Sequence, residues 1–310
     1  MHRFFALITL FILSLLLAAG CVSIPPQTQL VYSDPGHNGL IASAAESFPR
    51  TETSLSSAAE CSIEHFRSAL QQQSLPAQQL NPQYISMINW NIYKAQEENW
   101  SEDFSALIEN RDLVLIQEAV NQPRVTQLLD HQHPYWHLNN AFYYEGHEAG
   151  VLTASRRQAI FSCGIRTSEP LIRIPKTVLI NLYPLAGSEQ KLLVANLHGI
   201  NFSLGTGAYS EQIEQMVRII QQHEGPLIIA GDFNSWSEAR NQILNNMIEG
   251  LSLQSLSYEN HNRITLFGHA LDHVFYRGLE LIHEETRQVS SSDHNPIKAS
   301  FRLPRTLAQK

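Results

Sequence analysis

Short apolar runs that each end in a polar or acidic side chain recur from about Tyr84 onward, and they limit the possible folds more than any other feature of the chain. Examples are Ile85-Ser86-Met87-Ile88-Asn89-Trp90-Asn91, Leu113-Val114-Leu115-Ile116-Gln117-Glu118, Leu193-Val194-Ala195-Asn196-Leu197-His198 and Pro226-Leu227-Ile228-Ile229-Ala230 before Gly231-Asp232-Phe233-Asn234. Runs of this length read as core strands. Gly150 to Ala154, Val178 to Tyr183, Leu271 to Tyr276 and Ile297 to Phe301 read the same way. Between them, Ile213, Met216, Val217 and Ile220 share one face of a helix over Tyr209 to Gln222, and Phe104, Leu107 and Ile108 also stand at helical spacing. Strands mixed with a few helices predict packed sheets with helices outside. The polar residues fall at strand ends, where side chains from several strands can converge on one pocket.

Each polar residue has an ordinary reading beside a chemical one. Glu118 alone would be an exposed acid beyond a strand, and Asn91 would satisfy backbone groups. In Gly231-Asp232-Phe233-Asn234 the glycine permits a close turn. Asp232 and Asn234, two apart, can point the same way and offer an acceptor and an amide to water or a phosphate oxygen; a plain turn is the alternative. Asp293-His294 would be a surface turn, or a histidine that moves protons when a carboxylate fixes its tautomer. Asp272 is the candidate partner, since an acid within the run Leu271-Asp272-His273-Val274-Phe275 is costly unless paired. His198 alone is a satisfied histidine at a strand terminus.

Taken together and in order, Trp90-Asn91, Gln117-Glu118, the strand ending in His198, Gly231-Asp232-Phe233-Asn234, Leu271-Asp272 and Ser292-Asp293-His294 resemble the signature series of the endonuclease/exonuclease/phosphatase superfamily. Trp90-Asn91-Ile92-Tyr93-Lys94, Glu169-Pro170-Leu171-Ile172-Arg173, Asn201-Phe202-Ser203-Leu204-Gly205 and Phe275-Tyr276-Arg277-Gly278-Leu279 resemble its YafD-like bacterial subgroup. The resemblance implies an α+β fold, a four-layer α/β/β/α sandwich of the DNase I-like type, over 84–303. It implies that Asn91 and Glu118 help hold a divalent metal, Mg2+ with Mn2+ as a substitute, with Asp293 close by. Asp232 and Asn234 would orient the attacking water and the scissile phosphate. His198 and His294 would bind phosphate oxygens or move protons, with Asp272 orienting His294. A second acid of the nuclease branch would be Glu145 or Glu148. The implied activity is metal-dependent hydrolysis of phosphate esters, by a phosphodiesterase or nuclease. A phospholipid or other small phosphoester hydrolase is the alternative, and a non-catalytic binding protein that kept the fold is the rival of another class.

The 310 residues are 43% hydrophobic, enough for a full core, and their net charge of −8 gives no support to a broad cationic surface for nucleic acid. Arg156, Arg157, Arg166, Arg173 and Lys176 make one locally basic stretch, read first as solvated surface. Phe142, Tyr143 and Tyr144 are either core or an apolar loop that a lipid substrate would favour. Residues 1–21 follow the plan of an export signal: His2 and Arg3, an apolar run from Phe4 to Leu17, then Ala18-Ala19-Gly20-Cys21. The end resembles the lipoprotein box with Cys21 lipidated, and an uncleaved anchor is the alternative. Either places the rest outside the cytosol, tied to a membrane. The Ser-, Gln-, Pro- and Ala-rich stretch 22–83 reads as a tether with a short helix around Ile63 to Gln73, and 304–310 as a tail. Export permits a disulfide between Cys61 and Cys163, with two separate thiols the alternative. The expected substrate is nucleic acid or a phospholipid headgroup, and no obligate protein partner is evident.

Overall fold

The computed structural model describes residues 22–33, 54–56, 60–73, 75–258 and 262–304. The signal segment with Cys21, and the tail from 305, lie outside the described residues. Among these residues one sheet of nine strands takes β1 (Val22–Ser23), β2 (Leu30–Ser33), β3 (Ser54–Ser56), β4 (Ile85–Asn91), β5 (Leu113–Val120), β6 (Tyr135–Tyr144), β7 (His147–Ser155), β16 (Glu280–Thr286) and β17 (Ile297–Arg302). Its order is β16-β17-β4-β5-β7-β6-β2-β3, with β1 on β6. A second sheet of six takes β8 (Phe161–Ser168), β9 (Pro175–Pro184), β10 (Lys191–His198), β11 (Leu227–Asp232), β12 (Gln254–Ser255) and β15 (Asp272–Arg277), in the order β12-β15-β11-β10-β9-β8. β13 (Thr265–Leu266) and β14 (His269–Ala270) form a separate hairpin.

Period-two alternation sorts the side chains into layers. Met87, Leu113 and Leu115 of the first sheet meet Leu192, Val194, Ile228, Ala230, Val274 and Tyr276 of the second in the core between the sheets. The opposite face of the first sheet, with Ile88, Trp90, Val114 and Ile116, is covered by α2 (Trp100–Ile108) and α3 (Pro123–Gln132) through Trp100, Phe104, Leu107, Val125 and Leu129. The opposite face of the second, with Leu193, Ala195, Leu197, Leu227 and Ile229, is covered by α1 (Ile63–Leu70), α4 (Gly207–Ile220) and α5 (Glu238–Gly250). The order helix, sheet, sheet, helix is the layered α+β arrangement expected.

Buried amides fasten the sheets to each other. Gln117 Nε2 donates to Asn89 Oδ1 (2.9 Å) within the first sheet and to Asn196 Oδ1 (2.7 Å) in the second. Asn196 Nδ2 donates back to the carbonyls of Leu152 (2.8 Å) and Ile116 (3.2 Å). Further along, Asn139 Nδ2 donates to the carbonyls of Val178 (2.8 Å) and Ile165 (3.1 Å). These amides are fully buried.

The stretch 22–83 corrects the tether reading where it is described. β1 and β2 pair with β6, Phe66 of α1 is buried in the core, and Cys61 is disulfide-bonded to Cys163 on β8. β2 is only four residues long and buries just two apolar side chains, Leu30 and Val31, so composition alone resembled a linker.

Two outcomes follow. Asn196→Leu should lower the unfolding free energy in denaturant titration by about 1–3 kcal/mol, because it leaves Gln117 and the Leu152 and Ile116 carbonyls of the first sheet without their partner in the second. Burial pushes the His133 ring down to about 4 from 6.5, against its hydrogen bond to the Arg111 carbonyl, and burial takes His223 to a similar value. Between those values the unfolded chain takes up protons that the folded chain refuses. Stability therefore falls as the pH drops from 6.5 towards 4, by up to about 1.4 kcal/mol per pH unit for each such group. His133→Gln should make Tm less steep in that window and leave its slope above pH 7 unchanged.

Candidate active site

Strand direction and alternation together deliver the polar residues to one place. β4 and β5 are parallel, as are β10 and β11, so the C-terminal ends of each pair lie together. Asn91, His198 and Asp232 continue the inward-facing sets of their strands at those ends. β15 runs antiparallel to β11 with Asp272 paired to Asp232, so its inward-facing N-terminal residue arrives at the same end. Gly231 is required there, since a Cβ would collide with the Leu197 carbonyl on β10. Glu118 is placed differently. Strict alternation after Gln117 would turn it outward, but a register shift between Ile116 and Ala119 and a φ of 54° re-aim it into the pocket.

The pocket has a volume of about 320 Å³, and Asn91, Glu118, His198, Asp232, Asn234, Asp293 and His294 all line it. Asp232 is the hub. Its Oδ2 accepts from Asn91 Nδ2 (3.1 Å) and lies 3.5 Å from His198 Nε2 and 3.7 Å from His294 Nε2. Its Oδ1 accepts from the Asn234 amide N–H (2.9 Å). Asp272 sits behind His294 and joins Nδ1 at 2.7 Å. The His294 segment is held by its own backbone. The His294 carbonyl accepts from Trp90 Nε1 (2.8 Å), and Ser292 Oγ accepts from the His294 N–H (3.1 Å) while donating to the Asn91 carbonyl (2.7 Å).

The two histidines are driven apart. Burial and the adjacent Lys176, whose Nζ is 2.8 Å from Nε2, press His198 down to about 3, so it is neutral. Burial also disfavours charge on His294, but Asp272 and Asp232 outweigh it and raise the ring to about 10, so it is cationic. Glu118 is partly desolvated, which alone would raise it; Lys94, ion-paired to it, and then His198 and Lys176 bring it down to about 2. Lys94 comes from the turn after β4, where Tyr93, Lys94 and Ala95 all have positive φ. The Asp293 carboxyl is pushed up, first by desolvation and then by Glu118 and Asp232, against the pull of His294.

Asn91, Glu118, Asp232 and Asp293 together give the pocket an oxygen-rich set of donors, and a hard divalent ion fits it. Asp232, Asp272 and His294 also bring ligand-type atoms within 4.8 Å of one another, a candidate metal site. The short Asp272–His294 contact, however, is made on the ring nitrogen turned away from Asp232, which suits tautomer fixing better than a shared cation.

Other expectations divide. Neither Glu145 nor Glu148 lines the pocket, and Glu148 instead accepts from Asn121 Nδ2 (3.0 Å). Of the basic stretch only Lys176 lines it; Arg156 and Arg157 border a separate depression with Gln78 and Gln132, and Arg166 donates to the Gln27 carbonyl. Phe142 lines the pocket, while Tyr143 and Tyr144 are half-buried and tied to Gln29 and Gln96. Missed altogether was Arg240, almost fully buried on α5. Its guanidinium donates to the carbonyls of Ile200 (2.7 Å), Asn234 (2.7 Å) and Asn201 (2.9 Å) and stacks on Trp236. An arginine in a helix gives no sequence signal of such a role. Glu169, quoted only within a motif, accepts from the Phe202 and Asn201 amides and so ties the next loop to its own.

The endonuclease/exonuclease/phosphatase family model matches residues 88–294, and the chain belongs to that family. Its relatives place it in the YafD-like subgroup. It is 37% identical over 220 residues to a UPF0294 protein of Vibrio campbellii, covering 71% of this chain and 78% of that one. A UPF0294 protein of Yersinia enterocolitica is 36% identical over 219 residues, covering 71% and 84%. In fold it is similar to the human Nocturnin catalytic domain, solved with a bound sulfate anion, with a TM-score of 0.54, 18% identity, and 75% and 100% of the chains covered. Members of the family hydrolyse phosphoesters, typically with a divalent metal.

Arg240→Met should leave these loop carbonyls without their donor and cost about 2–3 kcal/mol in denaturant unfolding. Amide exchange across 200–206 should quicken more than exchange in β4.

Proposed function

We propose that this protein is a phosphodiesterase that uses Mg2+, with Mn2+ as a substitute, and works outside the cytosol. The observation that carries the reading is the meeting of Glu118, Asp232, Asp293, His198 and His294, from both sheets, in one pocket. Glu118, Asn91 and Asp293 would hold the metal, which when bound neutralises charge growing on the phosphoryl oxygens. A water lies against Asp232 and Asn234. Its oxygen bonds to phosphorus as the bond to the departing ester oxygen breaks, and its proton passes to the Asp232 carboxylate. His294, cationic and oriented by Asp272, serves as a donor to a phosphoryl oxygen rather than as the base. Lys176, bonded to neutral His198, puts positive charge where it can steady the leaving oxygen. The Cys61–Cys163 disulfide and the lipoprotein-type leader support action in an oxidising compartment, with Cys21 as the lipid attachment.

Hydrolysis of bis(p-nitrophenyl) phosphate should vanish with chelator and return with Mg2+ or Mn2+. His294→Ala should reduce turnover by about 100-fold or more while circular dichroism stays unchanged. A His294→Ala rate equal to that of the parent removes His294 from the chemistry. Absence of hydrolysis of this diester, DNA, RNA and phospholipid with either metal would favour a binding protein.

A further inference from the structure

Large apolar side chains that remain exposed are few among the described residues, and half of them surround the pocket mouth. Leu204 is 87% exposed, Phe267 64%, Leu171 56% and Leu266 42%. The four stand on three segments that also supply pocket-lining residues: Leu171 beside Ile172, Leu204 beyond Phe202, and Leu266 with Phe267 on the β13–β14 hairpin. The loops are braced to one another. Glu169 holds the Asn201 and Phe202 amides, Arg240 holds the Ile200 and Asn201 carbonyls, Trp236 Nε1 donates to Asn201 Oδ1 (3.0 Å), and Phe267 packs edge-on to Trp236 with ring centroids 6.2 Å apart. Several large apolar tips held out into water on loops that are braced to one another mark an interaction site.

From this arrangement we infer that the pocket mouth docks on a phospholipid bilayer and takes its phosphodiester from a lipid headgroup in that surface. The substrate half rests on the phosphoesterase reading above; the docking half does not. Three observations select a bilayer over a protein or a nucleic acid. A protein seated on the tips would stopper the pocket, whereas a lipid surface presents its substrate at the same plane. Cations accompany the tips: Arg173 is exposed beside Leu171, and Lys176 and Lys94 line the pocket beneath, on a chain whose net charge is −8. Arg156 and Arg157, which a nucleic-acid track would need at the mouth, border a different depression. Finally, the chain leaves its N-terminal apolar segment at Val22, which pairs with Tyr144 at the end of β6 whose Phe142 lines the pocket. A membrane anchor attached there holds the mouth beside the bilayer.

The test uses the full chain reconstituted in phosphatidylethanolamine–phosphatidylglycerol vesicles that carry a quencher in the acyl region. A fluorophore is installed through a non-canonical side chain at residue 267, or at residue 84 as control. Tyr84 is exposed too, but it precedes β4 at the end opposite Asn91, on the order of 20 Å away at strand rise. Quenching at 267 should exceed that at 84 severalfold; equal quenching, or none at 267, overturns the docking face. In the double variant Leu204→Ser, Phe267→Asn, headgroup release from vesicles should fall tenfold or more while kcat/KM on a soluble diester is unchanged. Asparagine is chosen because Phe267 has a positive φ. Equal loss on both substrates overturns the inference, as does hydrolysis of DNA or RNA without hydrolysis of vesicle lipid. Selective quenching at 267 with no hydrolysis of any substrate leaves the docking face standing and removes the phosphoesterase reading.

Discussion

The amide bridge between Gln117 and Asn196 sets the distance and register at which the two sheets face each other, and everything at the site inherits that register. Asn91 and Glu118 are on one side of the interface, His198, Asp232 and Asp272 on the other. Apolar packing alone tolerates small slips, because it is non-directional. A buried hydrogen-bonded amide does not, since a shift leaves polar groups unpaired in a medium that cannot solvate them. The bridge lies one or two residues below the catalytic positions on β5 and β10, so a slip there would separate the acids and histidines directly.

Once gathered, the groups determine each other's charge. His198 and His294 both lie close to the Asp232 carboxylate, yet one is neutral and the other cationic. Both rings are buried, and the difference comes from the second neighbour of each: an ammonium at His198 Nε2, a second carboxylate at His294 Nδ1. Rings held in opposite charge states let His294 donate to a phosphoryl oxygen while neutral His198 accepts from Lys176. Glu118, Asp232 and Asp293 meanwhile share a small volume with Lys94, Lys176 and His294, and their carboxylate oxygens, with the Asn91 amide, are the ligands a hard cation prefers.

Much of this was legible in the sequence because period-two alternation is carried by residue type. The inward placement of Asn91, His198, Asp232 and Asp272 follows from counting along apolar strands, and the order of motifs supplied the rest of the set. Three things were not legible. Glu118 reaches the pocket only through a bulge, and counting from Gln117 points it the wrong way. β6 and β16 were overlooked because Asn139 and Asn140 interrupt the first and Glu280-Leu281-Ile282-His283-Glu284-Glu285 is mostly polar, as an exposed edge strand can be. The packing of 22–33 and 60–73 depends on contacts with residues more than a hundred positions away, such as Cys61 with Cys163. Arg240 belongs to the same class: its partners are backbone carbonyls, which have no residue identity to read.

One divalent cation should sit among the acids that the two sheets bring together. Crystals grown with Mn2+ and inorganic phosphate, measured at the manganese absorption edge, test it most directly. A single strong anomalous peak is expected in the pocket within about 2.0–2.4 Å of oxygens from Glu118 and at least one of Asn91 and Asp293, with the Asp272–His294 hydrogen bond intact. A peak cradled instead by Asp232, Asp272 and His294, or no peak in the pocket at saturating Mn2+, would contradict it.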